Sequence, residues 1–577
     1  MAPSFCLFAA QCVETWHRAA LERRAEDLAR FYRPLGYDRV SLRWVPALRL
    51  LLGTVDRAAE PLEADAVLSW GGPAPRRLLE PAALLSAGDR DLRSLDAVTV
   101  LAAASDDEGC LVSGAGGITS LYAARGREAS VWSTHGVAAA WLALGRARVD
   151  ADTLPEFVAL EYVGGPRTLI EGVRAVPVAT RVRLTPRGEL EQSYWPKPER
   201  WAPVTETAAQ AHAERALLEG LARRLDGVAA PIVGLTGGLD SRVVAVALRE
   251  LGAPFETLTW GPADSPDLGT AREVAARLGV GHRWRAIDPP AARGTLERLD
   301  RLARWSDGTC PLDLRGDVWP TEGSAFVTGI GGEVGRAFYY MARAHEEPDP
   351  SARRLLRLLA IPLRLHRARP EAVRRVERRV DGWLAEAESL GHGGWGRLDF
   401  MYGEQRVRRW GRLILPRSTP PALPAFATPE VTRALASLPL VERVSNGFHR
   451  RFLAARLPEL APPAGVLPRS PAAVRWARRR VLPAVRPTLE AALRRRPPDR
   501  GRWPDAPLWR GREEVRDWLA RDVLHSEVML EALGEGWATY THRGLLADDW
   551  RATSKTLLAA GPVALARALT ELGDPRP

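Results

Sequence analysis

Residues 231–251 read PIVGLTGGLDSRVVAVALREL and carry three local signals in immediate succession. The apolar run 232–235 is typical of a short buried strand, and Thr236-Gly237-Gly238 is typical of a tight turn. Beyond Asp240 the apolar residues recur at helical spacing, at Val244, Ala247, Leu248 and Leu251. The pattern predicts a glycine turn between the end of a strand and the start of a helix.

A turn of this kind predicts a binding site for phosphate. Backbone N–H groups converge at a helix N-terminus, and adjacent glycines let the backbone approach an anion closely. The hydroxyls of Thr236 and Ser241 can donate to phosphate, and Asp240 can bind Mg²⁺. The stretch contains no lysine, so it is not a Walker A loop, and it does not follow the GxGxxG pattern. The alternative is a chance Gly-Gly turn with a capping aspartate.

The residues that follow predict a parallel α/β sheet. Strands are expected at 254–261 and 281–288, with a helix at 265–279 between them. Residues 325–336 predict another strand that enters a glycine-rich turn containing Glu333. Because ligands bind at the carboxyl ends of parallel strands, Asp240 and Glu333 are expected to share Mg²⁺. The alternative for Glu333 is a charge at a helix N-terminus.

Residues from about 225 to 470 resemble the synthetase domain of the class B asparagine synthetase family. TGGLDS (236–241) is similar to the SGGxDS pyrophosphate loop of the ATP-pyrophosphatase superfamily, whose members form adenylates. LTWGPADSPDLGTAREVAARLG (258–279) and TGIGGEVGR (328–336) resemble the next family motifs, with Glu333 where the family has aspartate. The stretch 424–460 resembles a later family segment. The resemblance implies an α/β ATP-pyrophosphatase fold, adenine nucleotide α-hydrolase-like, with a helical C-terminal part.

The resemblance also implies which residues form the site. ATP and its pyrophosphate are expected to contact residues of the two turns and of the second strand: Leu235, Thr236, Gly237, Gly238, Leu239, Asp240, Ser241, Arg242, Leu258, Thr259, Trp260, Gly329, Gly331 and Gly332. Asp240 and Glu333 are the expected ligands of Mg²⁺. Glu404 is a candidate base, or orients the amine, and Arg469 is a candidate cation for the adenylate. The alternative for Glu404 is a surface salt-bridge set with Arg408 and Arg412.

The first 200 residues resemble the glutaminase domain of the same family without its catalytic residue. The expected fold is α+β, an Ntn-hydrolase-like β-sandwich, followed by a synthetase domain over residues 201–577 and joined to it by a linker at 193–208. A working glutaminase needs cysteine directly after the initiator Met, where this chain has Ala2. Cys6 and Cys12 are displaced, so no glutamine hydrolysis is expected, and the nitrogen must come from a substrate amine.

Two departures from the family pattern favour one subgroup. Ile330 stands where asparagine synthetases have Glu and β-lactam synthetases have Tyr, and no lysine occurs between Lys197 and Lys555. The resemblance is therefore closest to lasso peptide cyclases, which join a precursor peptide's N-terminal amine to an Asp or Glu side chain. It implies a precursor peptide substrate, a leader-binding protein and a leader protease as partners. The alternatives are a β-lactam-type or ammonia-dependent asparagine synthetase, or a catalytically dead ATP-binding scaffold.

Composition excludes several other classes. The chain has 577 residues and a net charge of +11, and 81 − 2 = 79 of its basic residues are arginines. These arginines are dispersed, which disfavours nucleic-acid binding. A GC-rich genome explains them as well as an acidic partner would. No run of about 18 apolar residues and no signal peptide are visible. Four scattered cysteines indicate a reducing, cytoplasmic location and no metal-ligand spacing.

Overall fold

The computed structural model describes most of the chain between residues 5 and 573. It leaves out residues 58–61, 64–66, 72–75, 94, 96–98, 116–117, 119–120, 196–205, 227, 262, 264, 287–291, 310–324, 338–349, 360, 411–421, 461–516 and 547–549. Ala2 and Arg469, and most of the expected linker, therefore lie outside the described residues. None of the helices in the described part is long and apolar enough to cross a membrane.

The N-terminal part contains two antiparallel sheets. Their strands, in chain order, are β1 (Cys6–Cys12), β2 (Arg39–Val45), β3 (Leu50–Asp56), β4 (Leu68–Gly71), β5 (Thr99–Ala104), β6 (Gly109–Ser113), β7 (Tyr122–Arg125), β8 (Ala129–Ser133), β9 (Val173–Ala175), β10 (Thr180–Thr185) and β11 (Gly188–Ser193). The strand order is β2-β3-β1-β8-β7-β9 in one sheet and β11-β10-β6-β5-β4 in the other. The predicted strands at 40–45, 97–103, 109–114, 130–134 and 180–185 are confirmed.

The two sheets pack face to face because their strands alternate. In β10, Val182 and Leu184 are fully buried, whereas Arg181 and Arg183 are only half-buried. The core between the two sheets also includes Leu7 of β1 and Leu52 of β3. Helices of this part are α1 (Arg18–Tyr32), α2 (Pro81–Ser86), α3 (Asp89–Leu92), α4 (Gly136–Leu144) and α5 (Leu154–Leu160). They cover the outer faces, giving layers of helix, sheet, sheet and helix.

The next part contains the predicted parallel sheet. Its strands are β12 (Pro231–Gly234), β13 (Glu256–Trp260), β14 (His282–Arg285), β15 (Ala325–Thr328) and β16 (Ala422–Pro424). Its helices are α6 (Glu206–Leu225), α7 (Leu239–Glu250), α8 (Pro266–Leu278) and α9 (Ala292–Ser306). The strand order is β14-β13-β12-β15-β16, and every described pair is parallel. The order reverses at β12, so the carboxyl ends of β12 and β15 flank a switch point, where such sheets bind ligands.

The remaining described elements, apart from short 3-10 helices, are α- and π-helices, as predicted for a mostly helical region beyond residue 341. They are α10 (Ala352–Leu359), α11 (Ile361–Arg364), α12 (Pro370–Ser389), α13 (Gly396–Met401), a π-helix (Tyr402–Val407), α14 (Arg408–Trp410), α15 (Pro429–Ala436), α16 (Leu440–Val444), α17 (Gly447–Arg456), a second π-helix (Leu519–Val523), α18 (Glu527–Leu533), α19 (Glu535–Leu546) and α20 (Trp550–Leu569). The stretch predicted as one helix from 399 to 412 is thus interrupted by a π segment. A π segment opens a helix by one residue per turn and is frequent at functional sites.

One hydrophobic core joins the N-terminal part to the C-terminal helices. The same cluster contains Leu21 and Phe31 of α1, Leu299 of α9 and Leu565 of α20. Arg304 of α9 reinforces this contact, since its side chain is 2% exposed and donates to the carbonyl of Phe31 at 2.9 Å. The N-terminal sheets are therefore packed into the rest of the chain through a continuous apolar interface.

Candidate functional site

The turn after β12 is closed by its own hydroxyl groups. The N–H of Thr236 donates to Oγ of Ser241 at 3.1 Å, and the two hydroxyl oxygens of these residues lie 3.1 Å apart. The N–H of Gly238 donates to Oγ1 of Thr236, also at 3.1 Å. The hydroxyls that were expected to donate to phosphate therefore stabilise the turn itself. Leu239 begins α7 directly after it, as predicted within one residue.

A carboxylate of the next helix lies against the same turn. The N–H of Gly237 donates to Oδ1 of Asp267 at 2.9 Å. A Cβ atom on Gly237 would lie 2.7 Å from that oxygen, so a larger residue would displace the carboxylate of Asp267. Arg242 holds the other side, since its guanidinium donates to the carbonyl of Gly237 at 2.6 Å. The turn thus already presents a backbone donor to a negatively charged group, which is how anion-binding turns work.

The glycine turn after β15 packs directly on the turn after β12, residues 236–241, which is called the phosphate turn below. A Cβ atom on Gly329 would lie 2.8 Å from Cβ of Asp240, and one on Gly332 would lie 2.4 Å from its Oδ1. Gly331 has φ of +94°, in the left-handed region that glycine adopts readily. Because β12 and β15 are adjacent and parallel, their following turns meet at one edge of the sheet. The structure thus brings Gly329 and Gly332 beside Asp240, whereas Gly331 packs against the backbone of Phe426 and Ala427.

Asp240 is held by two positively charged or donor groups. A guanidinium nitrogen of Arg336 lies 2.6 Å from Oδ2, and Nε2 of His449 lies 2.8 Å from Oδ1. Burial by itself raises the pKa of Asp240, but His449 and Arg336 outweigh it and hold the pKa below its ordinary value. Asp240 is therefore a buried carboxylate that stays ionised and fixed in orientation.

Glu333 lies on the same edge of the sheet, and its pKa is shifted in the opposite direction to that of Asp240. Burial, with the charge of Asp240, raises the pKa of Glu333 to about 7. One of its oxygens accepts the N–H of Gly331 at 3.2 Å. Burial and the charge of Asp240 disfavour the ionisation of Glu333, and a divalent cation beside the two carboxylates would relieve this effect, so the pair fits Mg²⁺. In the part of the chain that the structure describes, no group of three or more His, Cys, Asp or Glu could hold a metal ion.

The residues expected near adenine lie at the adjoining strand ends. Leu235 donates its N–H to the carbonyl of Leu258 at 2.9 Å, and the hydroxyl of Thr259 donates to the carbonyl of Leu235 at 2.6 Å. Leu235 and Leu258 are buried, while Trp260 is half-buried and its ring lies 5.9 Å from that of Phe326. The N–H of Leu235 already donates to a carbonyl within the sheet, so adenine would contact other atoms of Leu235, Leu258 or Trp260.

Glu404 lies in the π segment and forms an ion pair with Arg408 at 2.6 Å. The predicted i,i+4 pairing is confirmed for these two residues, whose side chains are 11% and 18% exposed. The pair is therefore buried deeper than a surface salt bridge. Both residues line a cavity of about 370 Å³ that also reaches Gly331. Arg412, the third member of the predicted set, lies outside the described residues.

Sequence reasoning missed three residues that the structure places at Asp240 or the phosphate turn. Asp267 lies in the first turn of α8, after the N-cap residue Ser265, and its carboxylate accepts the N–H of Gly237. Arg336 lies four residues after Gly332, so its position in the glycine turn could have suggested it. His449 lies in α17, and no local pattern connects it with Asp240.

Two comparisons with known proteins bear on this site. A family model described as "Asparagine synthase" matches residues 212–310. The matched stretch runs from α6 to beyond α9 and includes the whole phosphate turn. A search of curated proteins finds no match. Residues 212–310 are therefore similar to the asparagine synthase family, which is consistent with an ATP-pyrophosphatase-like fold in this region and suggests ATP-dependent amide-bond formation.

Proposed function

We propose that the chain activates a substrate carboxyl group as an acyl-adenylate and couples it to an amine, with release of AMP. The proposal rests mainly on one observation: the turns after β12 and β15 meet at the switch point of the parallel sheet. There the phosphate turn, Asp240 and Glu333 share one edge. ATP is the substrate that fits such an edge, because its phosphates need both backbone donors and charge neutralisation.

The residues of the site divide the work by their chemistry. The turn 236–241 offers backbone donors to the β- and γ-phosphates. Asp240 and Glu333 would hold Mg²⁺, which supplies positive charge to the leaving pyrophosphate. Arg336 is close enough to Asp240 to add a further positive charge at the same edge. It can serve part of the role of the lysine that the chain lacks, and Arg469 stays a candidate for the same role.

The amine in this reaction comes from a substrate and not from glutamine. Cys6, the first cysteine of the chain, is fully buried in β1 and cannot meet a substrate. Burial raises the pKa of its thiol to about 12, so the reactive thiolate is strongly disfavoured. A buried, protonated Cys6 supports a synthetase that uses an amine held in its own site.

Among amide-forming synthetases, a lasso peptide cyclase fits best. Its substrate carries both the amine and the carboxyl group, so holding one molecule supplies both reactants and much of the entropic advantage. Glu404 pairs with Arg408 and lines the cavity that reaches Gly331, which supports the proposal that Glu404 orients the amine or accepts its proton. Ile330, which cannot accept a proton, is consistent with that role falling to another residue.

The test measures pyrophosphate release from ATP and Mg²⁺ with and without a candidate precursor peptide. Wild-type protein is compared with Asp240→Ala and with Asp226→Ala, an exposed acid of the same part. We expect peptide-dependent release that is lost only in Asp240→Ala, with loss of one water from the peptide mass. Release with free amino acids but not with peptide would favour a small-molecule synthetase. No release with any carboxylate would contradict the proposal.

A further inference from the structure

A cavity of about 370 Å³ lies between the N-terminal sheets and the parallel-sheet part of the chain. One wall comes from the N-terminal part and includes Thr180, Ser193 and Trp195. The facing wall includes Gly331, Glu404 and Arg408. The cavity is therefore built jointly by the sheet that ends in β11 and by the turn that follows β15.

The cavity adjoins the phosphate site at one turn. Gly331 lines the cavity, while Gly332, the next residue, packs on the carboxylate of Asp240. A molecule in the cavity is thus separated from the phosphate turn only by this short glycine segment. A carboxyl group carried by that molecule can be presented to a nucleotide bound at the sheet edge.

The size of the cavity argues for a large occupant. Its volume lies in the range of sites that enclose drug-sized molecules, about 300–1,000 Å³. Ammonia is comparable in size with water, whose share of liquid volume is about 30 Å³. A site for ammonia and free aspartate alone would not need an additional wall from a second part of the chain.

The two walls differ in chemistry. On the N-terminal side Trp195 offers an aromatic surface, and the hydroxyl of Ser193 donates to the carbonyl of Trp195 at 2.7 Å. On the facing side the Glu404–Arg408 pair places both signs of charge next to each other. Such a cavity fits a peptide segment whose apolar part lies on Trp195 and whose amine or carboxyl end meets the charged pair.

We propose that the N-terminal part acts as a specificity wall for the peptide substrate. The inference rests on the proposed function and extends it, because it assigns substrate selection to the end of β11 and the residues directly after it. Ser193 and Trp195 are the positioning residues. Neither contacts the phosphate turn in this structure, so their effect is on peptide binding and not on ATP binding.

Adjacent positions in β11 provide a matched pair for testing this wall. Ser193 lines the cavity, whereas Gln192 points to the opposite face of the strand and does not line it. Ser193→Cys and Gln192→Cys are labelled with a maleimide in the presence and absence of the synthetic precursor peptide. The described native cysteines, Cys6, Cys12 and Cys110, are buried, and the labelling rate of wild type is subtracted.

We expect the peptide to slow labelling of Ser193→Cys at least fivefold and to leave Gln192→Cys unchanged. The labelling rate can be measured without catalytic turnover. Slower labelling at position 193 without pyrophosphate release would therefore support peptide binding at this wall and contradict the proposed function. Equal labelling rates with and without peptide at position 193 would overturn the wall, even if pyrophosphate is released.

A kinetic experiment separates peptide binding from catalysis. Ser193→Trp fills the cavity and Trp195→Ala removes its aromatic surface, while Gln192→Trp adds the same bulk outside. We expect the first two changes to raise the KM for peptide at least tenfold, with kcat changed by less than threefold and the Kd for ATP unchanged. Wild-type KM values in both variants would overturn the proposal, and a KM increase in Gln192→Trp would show that bulk on β11 acts indirectly.

Discussion

Replacing Gly332 by alanine tests whether the contact between the two turns forms the nucleotide site. The added Cβ atom would lie 2.4 Å from Oδ1 of Asp240, whereas real Cβ atoms keep at least 3.0 Å, so one turn must shift by about 3.0 − 2.4 = 0.6 Å. Asp240 cannot rotate away cheaply, because Arg336 donates to its Oδ2 at 2.6 Å and the buried ring of His449 lies 2.8 Å from its Oδ1. Loss of the charged hydrogen bond between Arg336 and Asp240 costs about 1.5–3 kcal/mol. We expect the Kd for ATP to rise by the corresponding factor, roughly 10- to 150-fold.

The assay is calorimetric titration of the full chain with ATP and Mg²⁺, accompanied by thermal unfolding of each variant. Gly269→Ala is the control, since Gly269 lies exposed in α8 and a Cβ atom there meets nothing within 4 Å. That control should bind ATP normally and gain about 0.5–1 kcal/mol of stability. A folded Gly332→Ala protein with ATP affinity within twofold of wild type would refute the argument from turn packing.

Two further predictions concern buried charges in the frame around the site. Burial raises the pKa of Glu156 from 4.5 to about 7, so the folded chain keeps a proton that the unfolded chain loses, and stability falls as pH rises between these values. Glu156→Gln should remove this loss, on the order of 3 kcal/mol, in unfolding experiments at pH 4.5 and pH 8; an unchanged pH dependence would contradict it. Arg304→Met, which leaves the carbonyl of Phe31 without its charged donor, should cost about 2–3 kcal/mol in thermal unfolding. Arg374 is exposed, so Arg374→Met should lower the free energy of unfolding by less than about 1 kcal/mol. Equal losses of stability in the two variants would contradict the argument that burial strengthens the contact of Arg304.

The parts of the site that were predictable from sequence are those with local causes. The strand, turn and helix at 231–251 follow from apolar periodicity and two adjacent glycines, and the structure agrees within one residue. The approach of Asp240 and Glu333 follows from a topological rule, because both come just after parallel strands. Neither prediction needed knowledge of distant packing.

The parts that sequence reasoning missed depend on tertiary contacts. His449 lies 449 − 240 = 209 residues after Asp240 and reaches it only because α17 packs on α7. The hydroxyls of Thr236 and Ser241 point into their own turn, since backbone groups there have no other partner along a strand or helix. The π segment that holds Glu404 also has no signature in the residue pattern, because an extra residue in one turn leaves the apolar spacing almost unchanged.

The joint core limits how this gene can change over generations. Leu299 and Leu565 are buried against Leu21 and Phe31, so deleting the first 195 codons would expose a broad apolar surface on the remaining product. Purifying selection for solubility would then preserve those codons even in a lineage where that region performs no chemistry. Fission into two genes would require both products to be made together and to associate before either aggregates.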